Sequence, residues 1–193
     1  MKTVYLVLIG IAVVGLICMG VVVGMYNSLV TLDVNVNMQW SEVENQYHRR
    51  YELIPNVVEA TKDYMDYEED VLVRVTEART AWYKAFTEGD IQGEINAGAD
   101  MGTLANNIIV QVEAYPELHA SAIVQDLITE LEGTANRVAV ARGRFIESVA
   151  DYNVAVRSFP TNIFAMMFGF REKPNYQAPV EALDNPDVNL RGD

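Results

Sequence analysis

With 193 residues and a formal net charge of −13, the chain has the length of one domain plus a short addition, and half of its residues are hydrophobic. The acidity argues against a nucleic-acid partner, because phosphate binding needs clustered lysine and arginine. It argues equally against electrostatic attraction to anionic lipid headgroups. Cys18 is the only cysteine, so an intramolecular disulfide is excluded.

The chain starts with an apolar stretch, in which residues 4–26 carry no charge. A bilayer-spanning helix needs about 20 residues, whereas a cleaved signal peptide has a shorter apolar region of about 7 to 15 residues and a small-residue cleavage site. We therefore expect residues 1–26 to be an uncleaved anchor of a single-pass cell-membrane protein. Gly20 and Gly24 have the spacing through which two membrane helices approach each other, so both are candidate anchor-packing residues.

Charges on the two sides of the anchor predict its orientation. Lys2 and the free amine precede the span, and Asp33 is the first charged residue after it. The positive-inside rule then places the N-terminus in the cytoplasm and the rest of the chain on the extracytoplasmic side.

An amphipathic helix is predicted from residue 26 to residue 55. Its apolar positions recur at steps of three, four and four residues, which keeps one stripe of the helix apolar. The resulting eleven-residue repeat favours straight or slightly right-handed packing over a left-handed coiled coil. We expect this helix to leave the membrane and to pack into a bundle. The apolar positions are Leu29, Leu32, Val36, Trp40, Val43, Tyr47, Tyr51 and Ile54.

A second helix is expected to begin near Pro55, because proline suits the first turn of a helix and disfavours helical geometry at the residue before it. Its apolar stripe has a coiled-coil heptad spacing from Val71 onward. Residues 88–102 hold four of the twelve glycines and several polar residues, which predicts a loop. The stripe consists of Val58, Met65, Val71, Leu72, Val75, Ala78, Trp82 and Ala85.

A third, shorter helix is predicted before Pro116, and a fourth, the longest, before Pro160. Gly133 and Gly143 lie inside the fourth helix, where each costs about 1 kcal/mol relative to alanine, so we expect close contact with a neighbouring helix there. No strand alternation of useful length is present in the sequence. The fold is therefore predicted to be all-α, with an N-terminal transmembrane helix that continues into an antiparallel four-helix bundle over residues 27–160.

The segment after Pro160 is apolar over residues 161–170. If four helices run up and down from the membrane, the fourth returns this segment to the bilayer, where Phe164, Met167 and Phe168 are membrane-interface candidates. Alternatively, the segment covers the open end of the bundle. The membrane interpretation requires a true turn at Pro55. Residues 171–193 combine prolines with polar and acidic residues, which predicts a poorly ordered acidic tail.

No catalytic, cofactor-binding or metal-binding residues are predicted. Glu44 and His48 have the spacing of half a metal site on a helix, but the Glu-x-x-His motif of a di-iron bundle does not occur in the sequence. The acidic cluster between Asp63 and Asp70 lacks the calcium-loop pattern. A nucleophile elbow and a phosphate-binding loop are also missing from the sequence.

Several of six arginines lie next to the predicted apolar stripes. There the side-chain stem can cover apolar surface while the guanidinium reaches a carboxylate such as Glu77, Glu130 or Glu132. We expect them to fix the register of the helices through ion pairs; alternatively, they form a docking surface for an acidic segment of a partner. They are Arg49, Arg50, Arg79, Arg137, Arg142 and Arg144.

Motifs in unbroken order along nearly the whole chain are similar to those of the LemA family of membrane-anchored helical proteins. The first are Tyr26-Asn27-x-Leu29-Val30, Trp40-x-x-Val43, Arg49-Arg50-Tyr51-Glu52-Leu53-Ile54-Pro55-Asn56 and Val75-Thr76-Glu77-Ala78-Arg79. They continue with Glu113-Ala114-Tyr115-Pro116-Glu117-Leu118, Glu130-Leu131-Glu132-Gly133-Thr134, Asn136-Arg137, Ala141-Arg142, Tyr152-Asn153, Ser158-Phe159-Pro160, Lys173-Pro174 and Pro186-Asp187-Val188. Glu52 departs from the pattern, since aspartate is usual there.

The resemblance implies an N-terminal membrane helix followed by a four-helix bundle, and it carries over no catalytic residues. Family members are associated with membrane proteins, including membrane-bound proteases, and with membrane-organising roles such as magnetosome formation. We therefore expect a non-enzymatic scaffold, adaptor or self-assembling module. Its expected partners are the lipid bilayer, further copies of the chain and another membrane protein. Alternatives are a regulator of a membrane protease and an enzyme or metal-binding bundle.

Overall fold

The computed structural model describes residues 2–64 and 69–177, and the regular structure within these residues is helical. The prediction of an all-α chain is therefore confirmed. A short 3₁₀ helix, Pro116–Ala120, follows the third α-helix. The α-helices are α1 (Lys2–Thr61), α2 (Glu69–Glu88), α3 (Ile91–Glu113), α4 (Ala122–Arg157) and α5 (Thr161–Phe168).

The N-terminal part of helix α1 exposes its apolar side chains, as a lipid-facing helix does, whereas the rest of α1 buries one side against protein. Side chains such as Leu6, Leu16 and Met19 are between 65% and 70% exposed. At about 1.5 Å per residue, the apolar stretch of residues 4–26 is about 34 Å long, which matches the hydrocarbon core of about 30 Å. Within the described residues, α1 is the one helix that is long and apolar enough to cross a membrane.

The apolar stripe of α1 is buried as predicted. Leu32 is half-buried, and the other seven positions from Leu29 to Ile54 are at most 7% exposed. The expectation of a turn at Pro55 is wrong, because α1 continues through this residue to Thr61. Burial of Ile54, Val57 and Thr61 continues the stripe. This packing outweighs the missing backbone hydrogen bond of the proline.

The predicted loop over residues 88–102 is also wrong, because α3 begins at Ile91. The break between α2 and α3 is only Gly89 and Asp90. Gly89 has a positive φ of 68°, which glycine adopts without strain. Asp90 caps α3, since its Oδ1 accepts a hydrogen bond from the Gly93 backbone N–H at 3.0 Å. The glycine-rich stretch therefore contains a tight turn and the first part of a helix.

Close helix packing occurs at Gly98 rather than at Gly133 and Gly143. A Cβ atom at Gly98 would lie 2.5 Å from Cε1 of Tyr47, so the tyrosine ring occupies the space that a side chain would need. At Gly143 nothing in the described residues comes within 4 Å of such an atom, and at Gly133 its neighbours belong to Arg137 of the same helix. The expected close contact at Gly133 and Gly143 is therefore wrong.

The chain divides into two compact units, and α1 and α4 contribute to both. Unit 1 comprises Met1–Ser41 and Gly143–Asn175, and unit 2 comprises Glu42–Arg142 and Tyr176–Asp193. In unit 1, Trp40 of α1 packs on Phe145 of α4 with a ring distance of 5.1 Å. Unit 2 contains α2, α3 and segments of α1 and α4, all with buried apolar residues. The antiparallel arrangement of a four-helix bundle stays a prediction.

The described part of the tail, residues 171–177, has no regular secondary structure. The prediction of poor order for residues 178–193 lies outside the described residues, and so does part of the acidic cluster, namely residues 65–68.

Candidate functional site

A buried arginine connects two helices within unit 2. Arg50 of α1 is 6% exposed, and its Nε donates a hydrogen bond to Oγ1 of Thr134 on α4 at 3.0 Å. The Thr134 hydroxyl in turn donates to the Leu131 backbone carbonyl at 2.6 Å. Burial lowers the pKa of Arg50 from its ordinary value. Arg50 therefore fixes the register of α1 and α4 by a hydrogen bond to a hydroxyl.

Among the described residues of unit 2, the carboxyl group with the most perturbed pKa is that of Glu94 on α3. Its side chain is 1% exposed, and Oε2 has no hydrogen-bond partner among the described residues. Burial, followed by the charges of Glu44 and Asp90, raises the pKa of Glu94 to about 8. Glu94 is thus a neutral acid at pH 7. Because the group is enclosed by protein, its protonation state bears on the stability of the fold.

Two tyrosines of α1 belong to the same buried region. Burial is the main cause that raises the pKa values of Tyr47 and Tyr51, and the charges of Tyr47 and Asp100 add to the effect on Tyr51. Tyr47 also shares a hydrogen bond with Tyr176. Within the described part of the chain, the Tyr51 hydroxyl has no partner. Both phenols therefore stay neutral throughout the physiological pH range.

A surface carboxylate brings together two of the predicted arginines. Oε1 of Glu130 lies 2.7 Å from Nη2 of Arg49 on α1 and 2.7 Å from Nη2 of Arg137 on α4. The side chains of all three residues are between 33% and 56% exposed, so solvent screening keeps each pair near or below about 1 kcal/mol. The bridging position of Glu130 nevertheless links the two helices in one register.

Within the described residues, the remaining predicted arginines lie elsewhere and do not share the Glu130 carboxylate. Arg142 donates from Nη1 to the Tyr176 hydroxyl at 2.8 Å, and its guanidinium lies 5.4 Å from the centre of that ring. It therefore holds the start of the tail against α4. Arg79 of α2 lines an open groove between α1 and α2, and Arg144 is exposed on α4.

The groove between α1 and α2 has a volume of about 740 Å³ and combines basic and aromatic side chains. The buried Trp82 lies against it, with its ring 4.8 Å from Tyr51 and stacked 5.2 Å from Phe86. Arg79 and Lys84 are exposed along its wall. The groove thus presents cations next to aromatic rings on a chain that is otherwise strongly acidic. The remaining lining residues are His48, Glu52, Thr76, Thr80, Tyr83 and Thr87.

In unit 1, Lys173 holds the segment after α5 against α1 and α4. Its backbone N–H and carbonyl bond the Asn153 side-chain amide, at 2.9 and 2.8 Å. Its Nζ lies 2.9 Å from Oδ1 of Asp33, 3.0 Å from Oδ1 of Asn37 and 5.4 Å from the Tyr152 ring centre. We call this group, consisting of Asp33, Asn37, Tyr152, Asn153 and Lys173, the lysine clasp.

The apolar segment of residues 161–170 is largely the helix α5. Met167 and Phe168 are 63% and 43% exposed, whereas Phe164 is half-buried. Phe168 packs edge-on against Tyr26 of α1, with a ring distance of 5.1 Å. Two of the three membrane-interface candidates are therefore exposed, and the third is partly covered by protein.

The other predicted positions show no assembled site within the described residues. At Gly20 and Gly24, none of these residues comes within 4 Å of the place that a Cβ atom would take, so packing of the anchor through these glycines stays a prediction. His48 is exposed and lies 3.5 Å from Glu52 rather than against Glu44. Among the residues that the structure describes, no group of three or more His, Cys, Asp or Glu side chains is arranged to hold a metal ion.

Comparison with known proteins identifies relatives along most of the chain. Magnetosome protein MamQ of Magnetospirillum gryphiswaldense is 27% identical over 184 residues, which cover 80% of this chain and 68% of that protein. MamQ 1 and MamQ 2 of Paramagnetospirillum magneticum are each 24% identical over the same coverage. The profile of the LemA family matches residues 39–190. The chain is thus a membrane-associated helical protein, and it belongs to the LemA family.

Proposed function

We propose that the protein is a non-enzymatic scaffold or adaptor that a single membrane-spanning helix holds at the cell membrane. The continuity of α1 carries this proposal. One unbroken helix of 60 residues provides both an exposed apolar stretch of bilayer length and the buried stripe that forms the core of the helical units. Because no linker separates the two parts, the position of the helical units follows the position of the anchor.

The expected orientation places the helical units on the extracytoplasmic side. A thiol introduced as Met38→Cys tests it, because Met38 is 58% exposed and lies beyond the span. A membrane-impermeant maleimide added to intact cells should label this thiol. If the variant is not labelled, the helical units lie in the cytoplasm and the expected orientation is wrong. The Cys18→Ser background removes the only native thiol.

A structural role is supported by the positions of the buried polar side chains of unit 2. Arg50 and Thr134 join helices, while Glu94 is enclosed by protein. These groups therefore stabilise the fold instead of meeting a substrate. The MamQ relatives are named as proteins of a cellular structure, the magnetosome, and their names assign no reaction.

The adaptor role is supported by the groove between α1 and α2. Its exposed Arg79 and Lys84 complement an acidic segment, and the Tyr83 ring, which is 64% exposed, complements apolar side chains of the same segment. With a net charge of −13, most of the remaining surface repels such a partner. We therefore assign the groove to an acidic segment with apolar side chains, from another membrane protein or from a second copy of this chain.

A photo-cross-linker tests the groove in intact membranes. Tyr83 is 64% exposed and is replaced by benzoylphenylalanine; Ile123 of α4, which is 70% exposed and lies in the same unit, is the matched control. We expect one defined adduct from position 83, its loss when Arg79→Glu and Lys84→Glu reverse the local charge, and no such adduct from position 123. Adducts that form equally at both positions, or that survive the charge reversal, would contradict the assignment.

A further inference from the structure

One face of α5 is apolar and uncovered by the described residues of unit 1. Met166 is 81% exposed, Met167 63% and Ile163 54%, and these positions share one face because they are three and four residues apart. Phe159, just before the helix, is 81% exposed. The whole helix, Thr161–Phe168, carries no charged residue. Such a concentration of exposed apolar side chains marks an interaction surface.

The position of α5 along α1 indicates what this surface meets. Phe168 and Phe170 pack on Tyr26 with ring distances of 5.1 and 5.8 Å. Tyr26 ends the apolar stretch of α1, since the polar residues Asn27 and Ser28 follow it, and tyrosines concentrate at the boundary between hydrocarbon and water. Helix α5 therefore lies at the level where α1 leaves the bilayer. Although α1 continues through Pro55 without the expected turn, the contacts with Tyr26 show directly that the segment after Pro160 returns to this level.

Polar contacts hold α5 at this level. Gly169 ends the helix in a left-handed conformation with a φ of 82°, and the chain then enters the lysine clasp. The clasp residues Asp33 and Asn37 follow Tyr26 along α1 by about 10 and 16 Å at about 1.5 Å per residue. Along α1, the apolar face of α5 thus lies beside the end of the span, and the charged lysine clasp lies farther from it. In a bilayer, the headgroups likewise lie beyond the hydrocarbon.

We propose that the face formed by Ile163, Met166 and Met167 inserts into the lipid surface of the membrane that α1 crosses. Interfacial helices bury an apolar face about 5–10 Å into the boundary of headgroups and acyl chains. Because α5 contacts α1 at Tyr26, where the apolar stretch ends, one bilayer reaches both. α5 thereby gives the helical units a second attachment beside the anchor. This inference depends on the proposed anchoring by α1.

Spin labels on the full chain in phosphatidylethanolamine and phosphatidylglycerol vesicles test the inference. Met167→Cys in a Cys18→Ser background reports on the face of α5, and Met38→Cys is the matched control, since Met38 is 58% exposed and follows Tyr26 by about 18 Å. A label on the native Cys18 reports on the anchor. Collision rates with oxygen, which concentrates in lipid, and with a nickel chelate, which stays in water, are compared.

We expect the labels at positions 167 and 18 to collide more with oxygen, and the label at position 38 to collide more with the nickel chelate. A label at position 167 that behaves like the one at position 38 would overturn the inference. Low collision with both reagents would also overturn it, because protein, such as a second copy, would then cover α5. If the Cys18 label is in lipid in either case, the anchoring survives; an aqueous Cys18 label would refute both proposals.

Discussion

Replacing Glu94 with glutamine should make the stability of the folded chain much less dependent on pH. The carboxyl is 1% exposed, and burial with the charges of Glu44 and Asp90 raises its pKa from 4.5 to about 8. Between these two values the folded chain retains a proton that the unfolded chain has released, so the free energy of unfolding falls as the pH rises. Below pH 4.5 both states are protonated and this loss vanishes.

The size of the effect follows from the difference between the two pKa values. Each unit of difference corresponds to about 1.4 kcal/mol, so the wild type loses about 5 kcal/mol across the whole window and about 2 kcal/mol between pH 6 and pH 8 through Glu94. For a chain of this length, 2 kcal/mol shifts the melting temperature by about 4–8 °C. Glu94→Gln removes this loss because the amide stays neutral.

Thermal unfolding in mild detergent measures the effect, with fluorescence from the two tryptophans as the signal. Trp40 and Trp82 are 7% and 4% exposed, so both report loss of packing outside the membrane stretch. Glu132→Gln makes the same chemical change at an exposed position of α4 and should follow the wild type at every pH. If Glu94→Gln and the wild type lose stability in parallel between pH 6 and pH 8, the assignment of a buried neutral acid is wrong.

Two further predictions concern packing at Gly98 and Thr134 of unit 2, with Gly143 of unit 1 as the comparison for Gly98. Gly98→Ala should lower the free energy of unfolding by about 1–2 kcal/mol, because overpacking against Tyr47 outweighs the better helix propensity of alanine. Gly143→Ala, where nothing in the described residues is close, should raise it by up to about 1 kcal/mol. Denaturant titrations measure both variants, and equal effects would contradict the prediction. Thr134→Val should cost about 1–3 kcal/mol, because the buried Arg50 Nε loses its acceptor, and an unchanged midpoint in the same titration would contradict it.

Periodicity predicted the parts of the fold in which burial repeats regularly. The stripe from Leu29 to Ile54 is buried along one continuous helix, and the apolar anchor has the exposure of a lipid-facing surface. Two predictions of helix breaks that were based on proline and glycine residues were wrong. Pro55 lies inside α1 because buried residues on both sides hold the helix together, and only Gly89 of the glycine-rich stretch marks a turn.

The candidate sites were predictable only in part. Arg49 and Arg137 are identifiable from their place beside apolar stripes, and Glu130 is one of three carboxylates that the sequence offers them. That both arginines share Glu130 follows only from side-chain geometry. Glu94 escaped prediction because it lay in the predicted loop. Once residues 91–113 are seen as a helix, Glu94 lies seven residues before Met101 on the buried face, which is the signal that would have found it.

The lysine clasp could not be predicted from local pattern. Asp33, Asn153 and Lys173 are far apart in sequence, and each is an ordinary surface residue by its own neighbours. In the sequence, the motifs Tyr152-Asn153 and Lys173-Pro174 are only marks of a family resemblance. The contacts give these motifs a physical role, because they fasten the chain after α5 to both long helices of unit 1.

The mass of the full-length protein, extracted from membranes in mild detergent, tests the scaffold or adaptor proposal most directly. Mass measurement of the intact particles separates the possible states, and electron micrographs show whether the particles are uniform. The proposal predicts a uniform particle that contains several copies of the chain or one copy with a second membrane protein. A bare monomer that spans the membrane and carries no partner would contradict it.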